Sequence, residues 1–233
     1  MNKALRRVSV FAALMVLALL VNVTVNYAWR SAGLLSDPGN RRVVDAQFDA
    51  PRGSILVGTT AVAETVPVEG GRFSVQRNYS DGPLYAPVTG HYSYIYGRTG
   101  LEQTYNDELS GTGDSQLFRR ILGELSGTPA QGATIQTTLD PNAQQAASNA
   151  LGGRTGAVIA MDYTTGAILT WASTPGYDPN ELSSTDLEST QAAWDRLNSD
   201  EGRPLEDRAT QEIYPPGSTF KLVVASAALE DGM

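Results

Sequence analysis

Ser218 and Lys221 are the residues of this sequence whose types and spacing most directly suggest chemistry. They lie three positions apart in the stretch Tyr-Pro-Pro-Gly-Ser-Thr-Phe-Lys, at a predicted helix start, so their side chains share one face about one turn apart. A serine so placed can act as a nucleophile with the lysine as its base. The chain has two lysines against fifteen arginines. Because arginine keeps its proton in proteins and a buried lysine can lose it, lysine at 221 favours a base.

The residues that follow Ser218 predict how this lysine would be activated. A helix predicted from 219 to 229 is apolar almost all round apart from Thr219, Lys221 and Ser226. Such a composition is typical of a buried helix. Burial disfavours the charged ammonium group and lowers the pKa of a lysine. The sequence therefore predicts a buried helix with a neutral base at Lys221.

Composition excludes several function classes. The 233 residues are enough for one large or two modest domains, and the absence of cysteine excludes disulfides, thiolate chemistry and cysteine-ligated metals. The net charge of −8 argues against binding to nucleic acid, which needs a positive surface. No acid-rich cluster accompanies the single histidine, His91, so we expect neither a metal ion nor a cofactor.

Residues 8–25 form a nearly unbroken apolar run that carries no charge. At helical rise this run covers ~27 Å, close to the hydrocarbon thickness of a bilayer. Three basic residues precede the run, and Tyr27 and Trp29 follow where aromatic side chains favour the membrane interface. We predict a cytoplasmic tail over 1–7 and an uncleaved single-pass anchor over 8–29, with the rest of the chain outside the cytoplasm. A cleaved signal peptide is the alternative, but no convincing cleavage site follows.

The elements between the anchor and Ser218 are predicted from turn signals and from the spacing of apolar residues. A linker over 30–40 is followed by a mixed, β-rich region over 41–150. A second region over 151–233 begins with an antiparallel hairpin of two apolar strands, which we expect to be covered on both faces. The other predicted features are strands at 55–57, 65–68, 73–75, 92–96 and 134–139, a turn at Gly70-Gly71, and helices at 117–125, 144–151 (capped by Asp140-Pro141 and ended by Gly152) and 186–197.

Four segments together resemble the actinobacterial class B penicillin-binding proteins of the penicillin-binding protein A type. These segments are Arg52-Gly53-Ser54-Ile55, the Gly100-Leu101-Glu102 stretch with Tyr105, Leu109 and Gly111, the hairpin from Gly156 to Pro175, and Arg208-Ala209 with Pro215-Pro216-Gly217-Ser218-Thr219-Phe220-Lys221. One departure is Asp207, where the family often has asparagine before the arginine. Its added negative charge could alter the electrostatics near the site, or Asp207 could be a simple surface replacement, and we favour the second interpretation.

The resemblance implies an α+β protein with a single transmembrane helix, a β-rich non-catalytic dimerisation or pedestal-like domain, and the start of a serine β-lactamase-like transpeptidase domain. It implies a peptidoglycan D,D-transpeptidase in which Ser218 attacks the D-Ala-D-Ala end of a stem peptide and Lys221 is the base. Gly217 and Thr219 would lie beside the substrate. β-Lactams would trap the serine, the cell membrane would hold the protein, and divisome or elongation proteins would be possible partners.

The family also uses Ser-x-Asn and Lys-Thr-Gly, and neither motif occurs in these 233 residues. We therefore expect that this polypeptide is truncated and inactive as it stands, with an uncovered helix after Ser218 and an unpaired hairpin edge. Two readings from other classes stay open. One is a membrane-anchored scaffold of the cell-wall synthesis machinery without chemistry, and the other is a penicillin-sensing receptor or serine β-lactamase.

Overall fold

The structure is a computed structural model that describes residues 3–30, 33, 41–70, 72–113 and 132–232. The chain divides into two compact units, residues 1–50 and 51–233. The helix predicted at 117–125 and most of the linker predicted at 30–40 lie outside the described residues.

The first unit is helical. Helix α1 (Lys3–Val25) continues as a π-helical turn (Asn26–Arg30), and helix α2 (Arg41–Phe48) lies beyond it. Within this unit, the helical segment Arg6–Arg30 contains an 18-residue window with a mean hydropathy of 2.5, and it is long and apolar enough to cross a membrane. Its few polar side chains bond within the helix, as in the 2.8 Å bond from Thr24 Oγ1 to the carbonyl of Leu20. This helix therefore fits the predicted membrane anchor in length and composition.

The second unit is a mixed α/β structure. Its strands are β1 (Ile55–Val57), β2 (Thr60–Pro67), β3 (Val75–Tyr79), β4 (Tyr92–Ser93), β5 (Gly97–Arg98), β6 (Ile135–Gln136), β7 (Gly156–Met161) and β8 (Ile168–Thr174). Its helices are α3 (Gly82–Thr89), α4 (Gly100–Thr104), α5 (Asn106–Ser110), α6 (Pro141–Leu151), α7 (Leu187–Ser199), α8 (Arg208–Gln211) and α9 (Phe220–Glu230), with 3₁₀ turns at Pro179–Glu181 and Gly217–Thr219.

The main sheet has the strand order β3-β2-β1-β6, with β1 and β6 parallel and the other pairs antiparallel. Two predicted strands are shorter than expected. The 92–96 segment is extended only at β4, because Ser93 already pairs with Gly97 of β5 across a tight turn. The 134–139 segment is extended only at β6, since its partner β1 is three residues long.

A buried ion cluster joins the Arg52-Gly53-Ser54-Ile55 and Gly100-Leu101-Glu102 segments, on which the resemblance of the β-rich domain depends. Glu102 is fully buried and binds two arginines, with 2.6 Å from Arg52 Nε to Oε2 and 2.7 Å from Arg77 Nε to Oε1. The phenol of Tyr79 donates a third bond to Oε1 at 3.2 Å. Burial is the largest cause that raises the pKa of Tyr79 well above its usual value, so this hydroxyl remains a donor. One carboxylate thus holds β3, α4 and the segment that leads into β1 together.

Gly53 lies beside this cluster where two backbone segments cross. A Cβ at this position would come within 1.9 Å of the carbonyl oxygen of Ala133, a separation that no side chain permits. Glycine is therefore required here because the two backbone segments approach closely, and not because the chain turns at this point. The second residue of the Arg-Gly-Ser-Ile segment has a packing explanation in this fold.

Helix α6 and the hairpin β7–β8 are both present as predicted, and in the structure they pack together. The Asp140 side chain accepts a bond from the Ala143 amide at 2.8 Å, and Gly152 ends the helix in the left-handed conformation. Ala147 and Leu151 of α6 pack against Ala172 and Val158 of the hairpin.

The expectation that the hairpin is covered on both faces is wrong for β7. Its Ile159 and Met161 side chains are 46% and 59% exposed. Side chains of a strand project from the faces of its sheet, and in the part of the chain described no element packs closely over the face that carries Ile159 and Met161. The expected unpaired edge is present as well, since the described residues give this sheet two strands and no third.

Candidate active site

The approach to Ser218 is anchored by Arg208, the first residue of α8. Its side chain is almost completely buried and donates to the backbone carbonyls of Pro175 and Glu206, each at 3.4 Å, and to that of Gly202. Its amide donates to Ser173 Oγ at 3.1 Å. A planar guanidinium with five donors suits this role, because it can satisfy several carbonyls at once. Arg208 therefore fixes the 202–208 loop against the end of β8.

Asp207 is part of this framework, and its interpretation as a simple surface replacement is wrong. The side chain is half-buried and caps α8 by accepting a bond from the Ala209 amide at 3.1 Å. Its other oxygen accepts the indole N–H of Trp171 at 3.0 Å and the hydroxyl of Thr210 at 2.9 Å. A carboxylate meets these needs because it is an acceptor at both oxygens, and negative charge is favoured at a helix N-terminus.

Three further contacts, all made by Glu212, hold the chain between α8 and Pro215. Glu212 forms an ion pair with Arg203 at 2.8 Å and one with Arg208 at 3.4 Å. The hydroxyl of Tyr214 donates to the other oxygen of Glu212, and this hydrogen bond is the main cause that raises the pKa of Tyr214. Glu212 therefore ties the segment that enters the Pro-Pro-Gly stretch to the Arg203–Arg208 loop.

Ser218 lies at the middle of the 3₁₀ turn Gly217–Thr219, and Lys221 is the second residue of α9. The predicted arrangement of a serine one turn before a lysine at a helix start is therefore present. Gly217 has φ +53°, the left-handed region that strains other residues, and it makes the sharp entry into the turn. Thr219 is exposed, and its hydroxyl donates to the carbonyl of Pro216 at 2.5 Å. All four predicted site residues thus lie on one short stretch.

The prediction that the helix after Ser218 is buried is wrong for the structure described. Phe220, Leu222 and Leu229 of α9 are 53%, 73% and 76% exposed, and Lys221 is also exposed. Apolar composition predicts burial only where other elements supply a covering surface, and the described residues place no such surface over α9. The expectation of an uncovered helix in this polypeptide agrees with the structure. The Lys221 side chain is therefore in contact with solvent in the part of the chain that the structure describes.

Sequence reasoning missed Gln144 and Trp171 as residues that position the site. Gln144 is fully buried on α6 and makes three hydrogen bonds through its side chain. A signal was available, because Gln144, Ala147 and Leu151 fall on one helix face at spacings of three and four. A glutamine on the apolar face of a helix indicates a buried amide with backbone partners.

Comparisons with known proteins give two family matches in the second unit. Residues 52–135 match the penicillin binding protein A dimerisation domain, and residues 156–233 match the penicillin binding protein transpeptidase domain. The whole chain is 40% identical to the peptidoglycan D,D-transpeptidase PbpA of Mycolicibacterium smegmatis, covering 48% of that protein. The chain belongs to the penicillin-binding protein A family.

Other relatives agree with this assignment. The whole chain is also 40% identical to PbpA of Mycobacterium tuberculosis, of which it covers 48%. The imipenem acyl-enzyme complex of penicillin-binding protein A from M. tuberculosis matches 80% of this chain and 44% of that structure, with a TM-score of 0.75 and 38% identity. The chain therefore spans about half the length of the curated relatives it matches. The fold, an anchor-like helix followed by a dimerisation domain and part of a transpeptidase domain, follows the family.

Proposed function

We propose that the protein is a penicillin-sensitive peptidoglycan D,D-transpeptidase in which Ser218 is the nucleophile and Lys221 the base. The observation that carries the proposal is the Ser218-x-x-Lys221 pair at a helix start after a left-handed Gly217, inside the segment that matches the transpeptidase domain. The relatives are named D,D-transpeptidases, and a solved relative is an acyl-enzyme with imipenem.

The reaction has two steps on Ser218. Lys221 takes the hydroxyl proton while Ser218 Oγ attacks the carbonyl carbon of the penultimate D-Ala. The peptide bond to the last D-Ala breaks, that D-Ala leaves with a proton on its nitrogen, and an ester forms on Ser218. An amine from a neighbouring stem peptide then attacks the ester, releases the serine and forms the cross-link. A β-lactam follows the first step through opening of its ring amide and stays on the serine.

Gly217 and Thr219 flank the nucleophile, and we propose that they contact the substrate. Without a side chain, Gly217 leaves open space on its exposed side, where a Cβ would meet no atom within 4 Å. The Ser218 backbone N–H, near the start of α9, is the proposed donor to the oxyanion, because a helix N-terminus favours developing negative charge.

We also propose the topology and the domain limits. The apolar helix anchors the protein in the cell membrane, with the basic residues of 1–7 in the cytoplasm and the catalytic side outside it. The anchor comprises 8–29, the linker 30–40, the dimerisation or pedestal-like domain 41–150, and the N-terminal part of the transpeptidase domain 151–233.

Replacing Ser218 with alanine should abolish cross-linking by this protein, because the hydroxyl that forms the ester is lost. The test is complementation of a strain depleted of the protein, using the complete reading frame, with the fraction of cross-linked muropeptides as the measurement. We expect wild type to restore that fraction and Ser218→Ala to leave it at the depleted level.

Ser226→Ala is the matched control for this test, because Ser226 lies on α9, about two turns after the nucleophile, and its hydroxyl donates to the carbonyl of Leu222. It should complement like wild type. Full rescue by Ser218→Ala would refute the catalytic proposal and favour the scaffold reading.

A further inference from the structure

A chain of hydrogen bonds connects the dimerisation module to the approach segment of Ser218, and it begins at Gln144. The Gln144 amide nitrogen donates to the carbonyl of Leu84 at 2.9 Å and to that of Trp171 at 2.8 Å, while its oxygen accepts the Trp171 amide at 2.8 Å. The side chain is fully buried. A buried amide is tolerated only when its donors and acceptor are satisfied, so these bonds fix α3 and β8 relative to each other.

Gln144 belongs to neither of the two segments that match family models, yet it binds both. Leu84 lies on α3 within the matched dimerisation domain, and Trp171 lies on β8 within the matched transpeptidase domain. By pairing with both the N–H and the C=O of Trp171, the amide acts like an additional strand residue beside β8. Gln144 therefore fixes the position of Trp171 relative to the dimerisation domain.

The Trp171 side chain in turn binds Asp207, the residue that caps α8. Its indole N–H donates to Asp207 Oδ2 at 3.0 Å, and Trp171 also packs against the hydrophobic core of the dimerisation domain. Asp207 caps α8, and the Asp207 amide in turn donates to the side chain of Gln211 at 2.9 Å. Asp207 thus contacts both ends of this short helix, the first through its carboxylate and the last through its backbone amide, and Trp171 orients that carboxylate.

Helix α8 begins the segment that ends at Ser218. In the residues between α8 and Ser218, Glu212 pairs with Arg208 and with Arg203 of the 202–208 loop. The hydroxyl of Tyr214, just before Pro215, donates to Glu212. A displacement of Asp207 therefore moves the entry to the nucleophile, and small displacements of a nucleophile reduce reaction rates strongly.

We propose that Gln144, Trp171 and Asp207 are positioning residues that set the rate at which Ser218 is acylated, and that they connect this rate to the dimerisation module. None of the three touches the reacting atoms; each acts through the next. The inference depends on the proposed role of Ser218 as the nucleophile.

The test measures acylation of the protein from the complete reading frame by a fluorescent penicillin, with the rate constant at saturating penicillin as the readout. Trp171→Phe keeps an aromatic six-membered ring and removes the indole N–H, and Asp207→Ala removes the acceptor. We expect Trp171→Phe to slow acylation about 3- to 10-fold, the range that one hydrogen bond supports, and Asp207→Ala to slow it at least as much, because it also removes the cap of α8. The double variant should be no slower than Asp207→Ala alone, because Asp207→Ala already removes the hydrogen bond that Trp171→Phe removes.

Asp207→Asn keeps an acceptor oxygen and should restore the rate to within about twofold of wild type. Gln144→Glu replaces the NH₂ donor with an oxygen, which faces the carbonyls of Leu84 and Trp171 without a hydrogen to donate. This change should therefore slow acylation. Its matched control is Gln145→Glu, the same change at the exposed neighbour on α6, which should leave the rate unchanged. Melting temperatures measured in parallel identify a variant that has merely unfolded, and Trp171→Phe is expected to melt close to wild type.

Three results would overturn the inference. They are wild-type acylation by Trp171→Phe, effects of Trp171→Phe and Asp207→Ala that multiply in the double variant, and an Asp207→Asn variant as slow as Asp207→Ala. If wild type acylates at Ser218 and the variants do not differ from it, only the positioning proposal fails. If wild type is not acylated, the proposed function fails with it.

Discussion

Replacing Lys221 with arginine should slow the acylation of Ser218 by penicillin about 100- to 10,000-fold, the usual contribution of a positioned general base. Arginine keeps the positive charge and a similar length, but it does not give up its proton in a protein and cannot take one from the serine. The measurement is the second-order rate constant for labelling by a fluorescent penicillin, in the protein expressed from the complete reading frame.

The sequence provides a matched control, because the other lysine, Lys3, is the first residue of helix α1. Lys3→Arg should label at the wild-type rate. A Lys221→Arg variant that labels within threefold of wild type would show that positive charge alone is enough, and that Lys221 is not the base.

Replacing Glu102 with alanine should reduce the local stability of the dimerisation module by about 3–5 kcal/mol, which makes it the largest expected effect on folding. The change leaves Arg52 and Arg77 buried, at 6% and 4% exposure, without the carboxylate that both of them bind. Hydrogen exchange of the β1–β3 amides measures this directly, because local opening of the sheet exposes them to solvent.

An exposed ion pair supplies the control for that experiment. Glu181 binds Arg196, and their side chains are 40% and 58% exposed, so Glu181→Ala should cost less than about 1 kcal/mol. The buried cluster would lose its assigned role if exchange of the β1–β3 amides in Glu102→Ala stayed as slow as in wild type. Equal effects of the two alanine variants would contradict the account as well.

Local sequence signals predicted the site stretch and the elements around it. Ser218 and Lys221 were placed from spacing alone, because the helical repeat puts residues three apart on one face. Asp140 and Asp186 were recognisable as helix starts, since each accepts a backbone bond from the first turn that follows it. The β7–β8 hairpin was readable from two apolar runs and a short connection. These features depend on contacts between residues close in the chain.

Features that depend on distant residues could not be predicted in this way. The Glu102 cluster brings together residues up to fifty positions apart, and nothing in its local sequence shows that a glutamate would be fully buried. The role of Asp207 depends on Trp171, thirty-six positions earlier. The burial of α9 was inferred from composition, which reports what a helix surface would favour and not whether another element covers it.

The most direct test of the central claim is peptide mapping by mass spectrometry after reaction of the complete protein with penicillin. The account predicts one penicilloyl group, on Ser218, and none after Ser218→Ala. An adduct on another serine, or an adduct that persists in Ser218→Ala, would contradict the assignment of Ser218 as the nucleophile.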